Sequence, residues 1–250
     1  MIAKALKARK IFCVATSAVR DAPNRSEFIS LVKKETGISI KVIDGHKEAF
    51  YGAVATSNLL PLDSALTIDI GGGSTECAVI KDGKIEHLYS MNLGTIRLKE
   101  LFFDKRASNG DIKKLLDDEL SKLPNTIDVD TVVCIGGTAR ALSKSVMKKD
   151  KYPISTIHGY EYSVDENIDL FTKIATSEVM KLKKYGIKED RIDTIRGGAL
   201  IFSEILKKFN IKKVISSGVG VREGVFLSDI LRNCNNTLPK DFNPSMRSLI

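Results

Sequence analysis

Between residues 66 and 80 the chain reads Leu-Thr-Ile-Asp-Ile-Gly-Gly-Gly-Ser-Thr-Glu-Cys-Ala-Val-Ile. Two carboxylates, Asp69 and Glu76, flank Gly71, Gly72 and Gly73, with the hydroxyls of Ser74 and Thr75 next to the glycines. Adjacent glycines let the backbone turn tightly, and without Cβ atoms their N–H groups can come close to a bulky anion. Ser74 and Thr75 add hydroxyl donors. Asp69 and Glu76 are hard oxygen ligands of the kind a magnesium ion shares with phosphate oxygens. The chemistry open to this stretch is therefore phosphate binding with magnesium as counter-charge. A glycine-rich hairpin turn without a ligand is the plain alternative.

The elements that must hold this loop are strands. An apolar run enters it from Leu66, and a β-branched, apolar run leaves it towards Ile80. Lys81-Asp82-Gly83-Lys84 then reads as a hairpin turn. A strand–loop–strand cradle differs from the P-loop and from GxGxxG, which both open helices. Around it, strands are expected over Ile11–Thr16, Ile38–Ile43, Glu86–Met91, Thr131–Ile135 and Lys213–Ser217. Helices are expected over Ser26–Glu35, ending at Gly37, and over Lys47–Ser57, with Glu48 in the first turn. Further helices are expected from Gly94 to Phe103, Asp111 to Leu123, Val164 to Tyr185, Ala199 to Phe209 and Val225 to Leu231. Asp44-Gly45-His46 reads as a turn, residues 1–10 as a helix end, residues 148–163 as irregular, and the tail from Asn233 as loose. Alternating strands and helices make the class α/β. Glycine turns follow three buried strands, and ligands of open α/β sheets gather at such carboxyl ends.

Composition narrows the partners. The 250 residues suffice for one large or two ordinary domains, and 43% hydrophobic with 28% charged residues is a globular mix. No apolar run approaches the ~20 residues of a membrane span. The start is not a signal peptide. Cys13, Cys77, Cys134 and Cys234 are dispersed, which offers no zinc site and fits a reducing cytoplasm. The formal charge of +8 reflects either solvated lysines or a polyanionic partner. No zinc-finger, RNP or aromatic–basic pattern is present, so a specific nucleic acid is not expected.

Five stretches, in order, resemble the exopolyphosphatase / guanosine pentaphosphate phosphatase family. They are Ala15-Thr16-Ser17-Ala18-Val19-Arg20-Asp21-Ala22, Ile43-Asp44-Gly45-His46-Lys47-Glu48-Ala49, Ile68 to Glu76, Gly136-Gly137-Thr138, and Ser217-Gly218-Val219-Gly220-Val221-Arg222-Glu223-Gly224. The resemblance spans about Ile11 to Leu231. It implies the fold of the actin, sugar-kinase and heat-shock ATPase superfamily: two ribonuclease-H-like domains around a cleft. It also implies hydrolysis of a terminal phosphoanhydride in polyphosphate or guanosine pentaphosphate, the alternatives being a phosphotransferase or ATPase of the same superfamily and a truncated, inactive protein that binds polyphosphate or nucleotide. By the same resemblance Glu48 is the catalytic base, Asp69 and Glu76 hold magnesium, and Arg20, Gly71, Gly72, Gly73, Ser74, Thr75, Gly136, Gly137 and Thr138 bind phosphate or wall the cleft. A homodimer is left open.

Each role has a plainer counterpart. Glu48 could be a first-turn helix acid favoured by the macrodipole. Arg20 and Asp21 could be a surface pair. Gly136 could be a tight strand–helix connection. One departure is visible: family members open with an Asp-X-Gly-Ser-X-Ser loop, and none precedes Ile11. That part would be about three strands and a helix, on the order of 40–50 residues. Residues 1–58 are therefore expected to be the remainder of a first, incomplete domain, and 59–250 a second domain with its tail.

Overall fold

The computed structural model describes residues 5, 7, 8, 10–105, 108–153 and 155–231. The helix end expected within residues 1–10 lies mostly outside these, and the tail from Asn233, with Cys234, wholly so.

The chain begins with a small parallel pair. Strand β1 (Cys13–Ala15) leads into the single helical turn α1 (Ser17–Arg20) and helix α2 (Arg25–Thr36), which returns to β2 (Ile40–Val42) beside β1. Gly37 ends α2 at φ +73°, the left-handed cap that glycine adopts freely. No side chain of α2 is buried, and Phe28 and Leu31 are exposed. Helix α3 (Gly45–Leu59) follows. It starts two residues before the expected Lys47, because the Asp44 side chain accepts from the Lys47 N–H at 2.7 Å. That cap satisfies an orphan donor and turns Gly45 and His46 into helix.

The hairpin of β3 (Ala65–Ile70) and β4 (Thr75–Lys81) continues into β5 (Lys84–Met91). Asp82 and Gly83 have φ of 49° and 71°, the two positive values of the hairpin turn that Asp-Gly favours. After helix α4 (Thr95–Leu98), a π turn over Lys99–Phe103 and α5 (Asn109–Leu120), strand β6 (Thr131–Ile135) runs directly into α6 (Gly136–Lys149). Strand β7 (Glu161–Ser163), helices α7 (Ile168–Thr176) and α8 (Ile195–Lys208), strand β8 (Lys213–Ser216) and α9 (Val221–Ile230) complete the order. The six later strands form one sheet, β5-β4-β3-β6-β8-β7, with β3, β6 and β8 mutually parallel. β3, β4 and β6 are almost wholly buried, as strands covered on both faces must be.

Helices α6, α7 and α8 cover one face around Leu142, Phe171 and Phe202, whose two rings meet edge-on at 5.4 Å. On the other face Ala53 of α3 packs on Ala78 and Ile80. Helix α3 thus lies against β4, β5 and α9, although it belongs to the 1–58 segment of the sequence division. It approaches α9 so closely that a side chain at Gly224 would meet the Tyr51 backbone.

Two further expectations fail. Val164–Tyr185 is not one helix: α7 covers only Ile168–Thr176, followed by 3-10 turns at Val179–Tyr185 and Glu189–Arg191. The hydroxyls of Thr172, Thr176 and Ser177 donate back to the carbonyls of Ile168, Thr172 and Lys173, a competition that weakens a helix end. Residues 161–163, read as irregular, form the edge strand β7 on β8. Three residues are too few to show a period.

Candidate active site

Three parallel strands end at one edge of the sheet, and each opens a glycine turn. β3 gives Gly71–Gly73, β6 gives Gly136–Gly137, and β8 gives Gly218–Gly220. Register does the positioning. Asp69 stands directly opposite Glu76 across β3–β4, and beside Ile135 of β6. Gly136 follows with φ +86°, and a Cβ there would meet the Asp69 carboxylate. Only glycine meets both demands.

The glycine loop is closed by the Gly71 N–H donating to the Ser74 carbonyl at 2.9 Å. Its carbonyls are held from one side. The N–H groups of Thr95, Ile96 and Arg97 donate to Gly71 and Gly72, and the Arg97 Nε donates to Gly73 at 2.9 Å. A trans peptide sets C=O and N–H antiparallel. The N–H groups of Gly72, Gly73 and Ser74 therefore point away from α4. Ser17 lies against Gly73, and a cavity of about 520 Å³ opens beside them on the α4 side, lined also by Ile96, Arg97, Glu100 and Leu101.

The opposite lip carries Arg20. Its guanidinium donates to the Ile43 carbonyl at 3.1 Å and to Glu48 Oε2 at 3.4 Å, and stands 3.5 Å from Asp21. Asp21 in turn lies 3.6 Å from Arg97. A chain of charge contacts, Glu48–Arg20–Asp21–Arg97, thus ties the α1 lip to the glycine loop.

Three carboxylates share this space. Burial pushes Glu48 up to about 7, with Asp69 adding to the rise and Arg20 opposing it. Burial lifts Asp69 to about 6, against the pull of Arg140. Glu76 reaches about 8, through burial and then repulsion from Glu48, although Ser74 and Ser90 hydrogen-bond its carboxylate. Acids so placed repel one another and hold protons that a cation would displace. Among the described residues no three His, Cys, Asp or Glu side chains are close enough to cage a metal. Two facing carboxylates beside the glycine loop would still fit magnesium, which keeps waters and can take its remaining oxygens from a phosphate.

The structure brings Arg20, Glu48, Asp69, Glu76, Gly71–Gly73 and Gly136 together. It turns two predicted residues elsewhere. Thr75 is wholly buried and its hydroxyl donates to the Leu93 carbonyl at 2.7 Å, bracing the corner after β5. Thr138 is buried against Gly198 of α8. Ser74 is buried with its hydroxyl on Glu76, and Gly137 faces the Arg191 guanidinium. Sequence reasoning missed Arg97 and Ser90. Arg97 lies in the last turn of the short α4, where a cation is ordinary, so no local signal marked it. Ser90 is the β5 partner of Glu76, legible only once the strands are in register.

The sheet order and the three turns at its edge define an α/β protein of the actin-like ATPase fold, shared with solved Ppx/GppA structures. The model of the Ppx/GppA phosphatase family matches residues 1–233, and the chain belongs to that family. A family member from Aquifex aeolicus is 30% identical, with a TM-score of 0.76, and the match covers 93% of this chain and 78% of that one. An exopolyphosphatase from Cytophaga hutchinsonii has the same fold at 22% identity, with a TM-score of 0.77, over 95% of this chain and 80% of that one. The bifunctional 3-dehydroquinate synthase/phosphatase of Fusobacterium nucleatum is 30% identical over 226 residues, which are 85% of this chain. The chain spans about a third of that relative's length, 33%. Among the described residues no helix is long and apolar enough to cross a membrane.

Proposed function

We propose that the chain hydrolyses the terminal phosphoanhydride of inorganic polyphosphate or guanosine pentaphosphate, with magnesium, in the cytoplasm. The observation that carries this reading is Glu48. It is held beside Arg20 and titrates at about 7, where a general base is most effective near neutral pH.

The residues divide the work as phosphoryl transfer requires: neutralise oxygens, hold the line of attack, place the water. The N–H groups of Gly72, Gly73 and Ser74 bind the oxygens of the terminal phosphate. Arg20 neutralises them from the other lip, its planar fork suited to phosphate. Glu48 takes a proton from water as the water oxygen bonds to phosphorus. The bridging P–O bond breaks, giving orthophosphate and a chain shortened by one unit. Asp69 and Glu76 would hold the magnesium, which would supply charge neutralisation.

A second reading is polyphosphate or nucleotide binding without turnover. The thinness of the first lip favours it: β1 and β2 form only a two-stranded pair among the described residues, and α2 buries no side chain. Phosphate release from both substrates, titrated with magnesium, separates the two. Asp69→Ala should abolish the magnesium-stimulated release. An unchanged rate in that variant overturns the site, and binding without release in the wild type supports the second reading.

A further inference from the structure

The third glycine turn has no part in the proposed chemistry, and its N–H groups are already spent. Gly218 donates to Nδ1 of His158 at 3.1 Å, Val219 to the Ser217 hydroxyl at 3.2 Å, and Gly220 to Glu223 Oε2 at 2.8 Å. None of the three is left for a phosphate.

His158 does more than accept one of these bonds. An amide N–H can only donate, so Nδ1 must carry the lone pair and Nε2 the proton of a neutral ring. Nε2 then donates to the Leu59 carbonyl at 3.0 Å. That carbonyl lies in the last turn of α3, among the four that a helix cannot satisfy by itself. One imidazole thus joins the end of α3 to the third turn. Its own backbone is pinned alongside. The Gly159 N–H donates to the Ser216 carbonyl at 2.9 Å, and the Ser216 N–H to the Tyr160 carbonyl at 2.8 Å. The contact is close: a Cβ at Gly218 would stand 3.0 Å from the His158 Cβ.

The turn bears on the site through Ile135. This side chain is buried. Its Cγ2 would stand 2.8 Å from a Cβ at Gly220, and its Cδ1 3.2 Å from a Cβ at Gly52. Gly52 is four residues after Glu48 on α3, and therefore on the same face. Ile135 is also the β6 partner of Asp69. A shift of the third turn would reach both carboxylates through this one side chain, because close-packed interiors transmit strain.

We propose that His158 is a positioning residue. It seats the third glycine turn on the end of α3, and the seated turn holds Ile135 in place between Gly52 and Asp69, so that Glu48 and Asp69 keep their alignment. The glycines of this turn serve close packing rather than phosphate binding. The proposal deepens the phosphatase reading and rests on it for the rate measurements.

The test compares His158→Ala, His158→Asn and His158→Gln. Asparagine puts an amide oxygen near the place of Nδ1 and keeps an acceptor for Gly218. Glutamine puts an amide nitrogen near the place of Nε2 and keeps a donor for Leu59. In His158→Ala, kcat for phosphate release should fall ~10–100-fold with KM little changed, as a misplacement of about 1 Å costs on the order of 10²-fold. His158→Asn should restore most of kcat and His158→Gln should not, whatever each does to Tm. Those two variants carry the comparison should the alanine variant fail to fold. A kcat that follows Tm across the variants, a change confined to KM, or rescue by glutamine alone overturns the positioning role. If the wild type releases no phosphate, the phosphatase reading fails by itself, and amide NMR decides the seat. The Gly218 amide should lose its protection from exchange in His158→Ala, and the Gly52 and Asp69 amide signals should shift. All three should return in His158→Asn. Unmoved Gly52 and Asp69 signals overturn the proposal.

Discussion

Glu48→Gln separates what the cleft does from what it costs the fold. The Glu48 side chain is 11% exposed, 3.4 Å from Arg20. Its carboxyl titrates at about 7 against an ordinary value of 4.5. The folded value is the higher one, so between these limits the folded chain binds more protons than the unfolded chain. Stability therefore falls as pH rises from about 4.5 to about 7, and the loss is complete above that. At 1.36 kcal/mol per pH unit, ionised Glu48 destabilises the fold by up to about 3 kcal/mol. Glutamine keeps the size and reach without the charge, but must bury an amide and gives up the Arg20 ion pair. The net gain expected at pH 8 is about 1–2 kcal/mol, a rise in Tm of about 2–8 °C for a chain of this length. At pH 5, where Glu48 is mostly protonated, the two proteins should melt together.

Turnover should move the other way, falling ~10²–10⁴-fold as general-base loss does. The assays are scanning calorimetry at both pH values without magnesium, and phosphate release with it. A variant that is inactive, more stable at pH 8 and unchanged at pH 5 is what a strained catalytic carboxylate gives. A lower Tm at pH 8 would show that the Arg20 pair outweighs burial and the Asp69 repulsion. Normal turnover would remove Glu48 as the base.

Magnesium should raise Tm more at pH 8 than at pH 5, because Glu48, Asp69 and Glu76, lifted to about 7, 6 and 8, compete with it as protonated acids at low pH. Chelation should return both melting curves to their starting positions, and an equal shift at the two pH values would refute the carboxylate site. Gly136→Ala, at φ +86° against Asp69, should destabilise by about 1–3 kcal/mol and weaken magnesium affinity measured by calorimetry. Wild-type stability and affinity would show that the turn can shift away.

What the sequence revealed depended on how local the cause was. Asp82-Gly83 specifies its turn by its own φ preferences, and β3, β4 and β6 show as apolar runs because both faces are covered. Asp69 and Glu76 were legible as a pair because a four-residue loop at this register must set them opposite each other. Thr75 and Thr138 looked equally suited to a phosphate. Their burial is decided by Leu93 and Gly198, 18 and 60 residues away, through contacts no local pattern announces. The shortened α7 is a mixed case. Its Thr172, Thr176 and Ser177 were visible, but the choice of their hydroxyls for helix carbonyls over water was not.

The same nonlocal packing explains why the site is strained. β3 and β4 bring Asp69 and Glu76 face to face, α3 adds Glu48 from outside the sheet, and Gly136 closes the fourth side without a side chain to intervene. Like charges opposite each other on a sheet are destabilising, and here they are also drawn out of water. Arg20 is the one cation in hydrogen-bond contact with any of the three among the described residues, and at 3.4 Å it touches Glu48 alone. Ser74 and Ser90 offer Glu76 hydrogen bonds but no charge. The cluster can relax by taking up protons or by taking up a cation. A proton on Glu76, lifted to about 8, would relieve the repulsion while leaving Glu48, at about 7, ionised, and a cation would do so for all three at once. On the proposed function, metal binding would also favour the ionised base, so an alteration that weakens the first should raise the apparent pKa of Glu48.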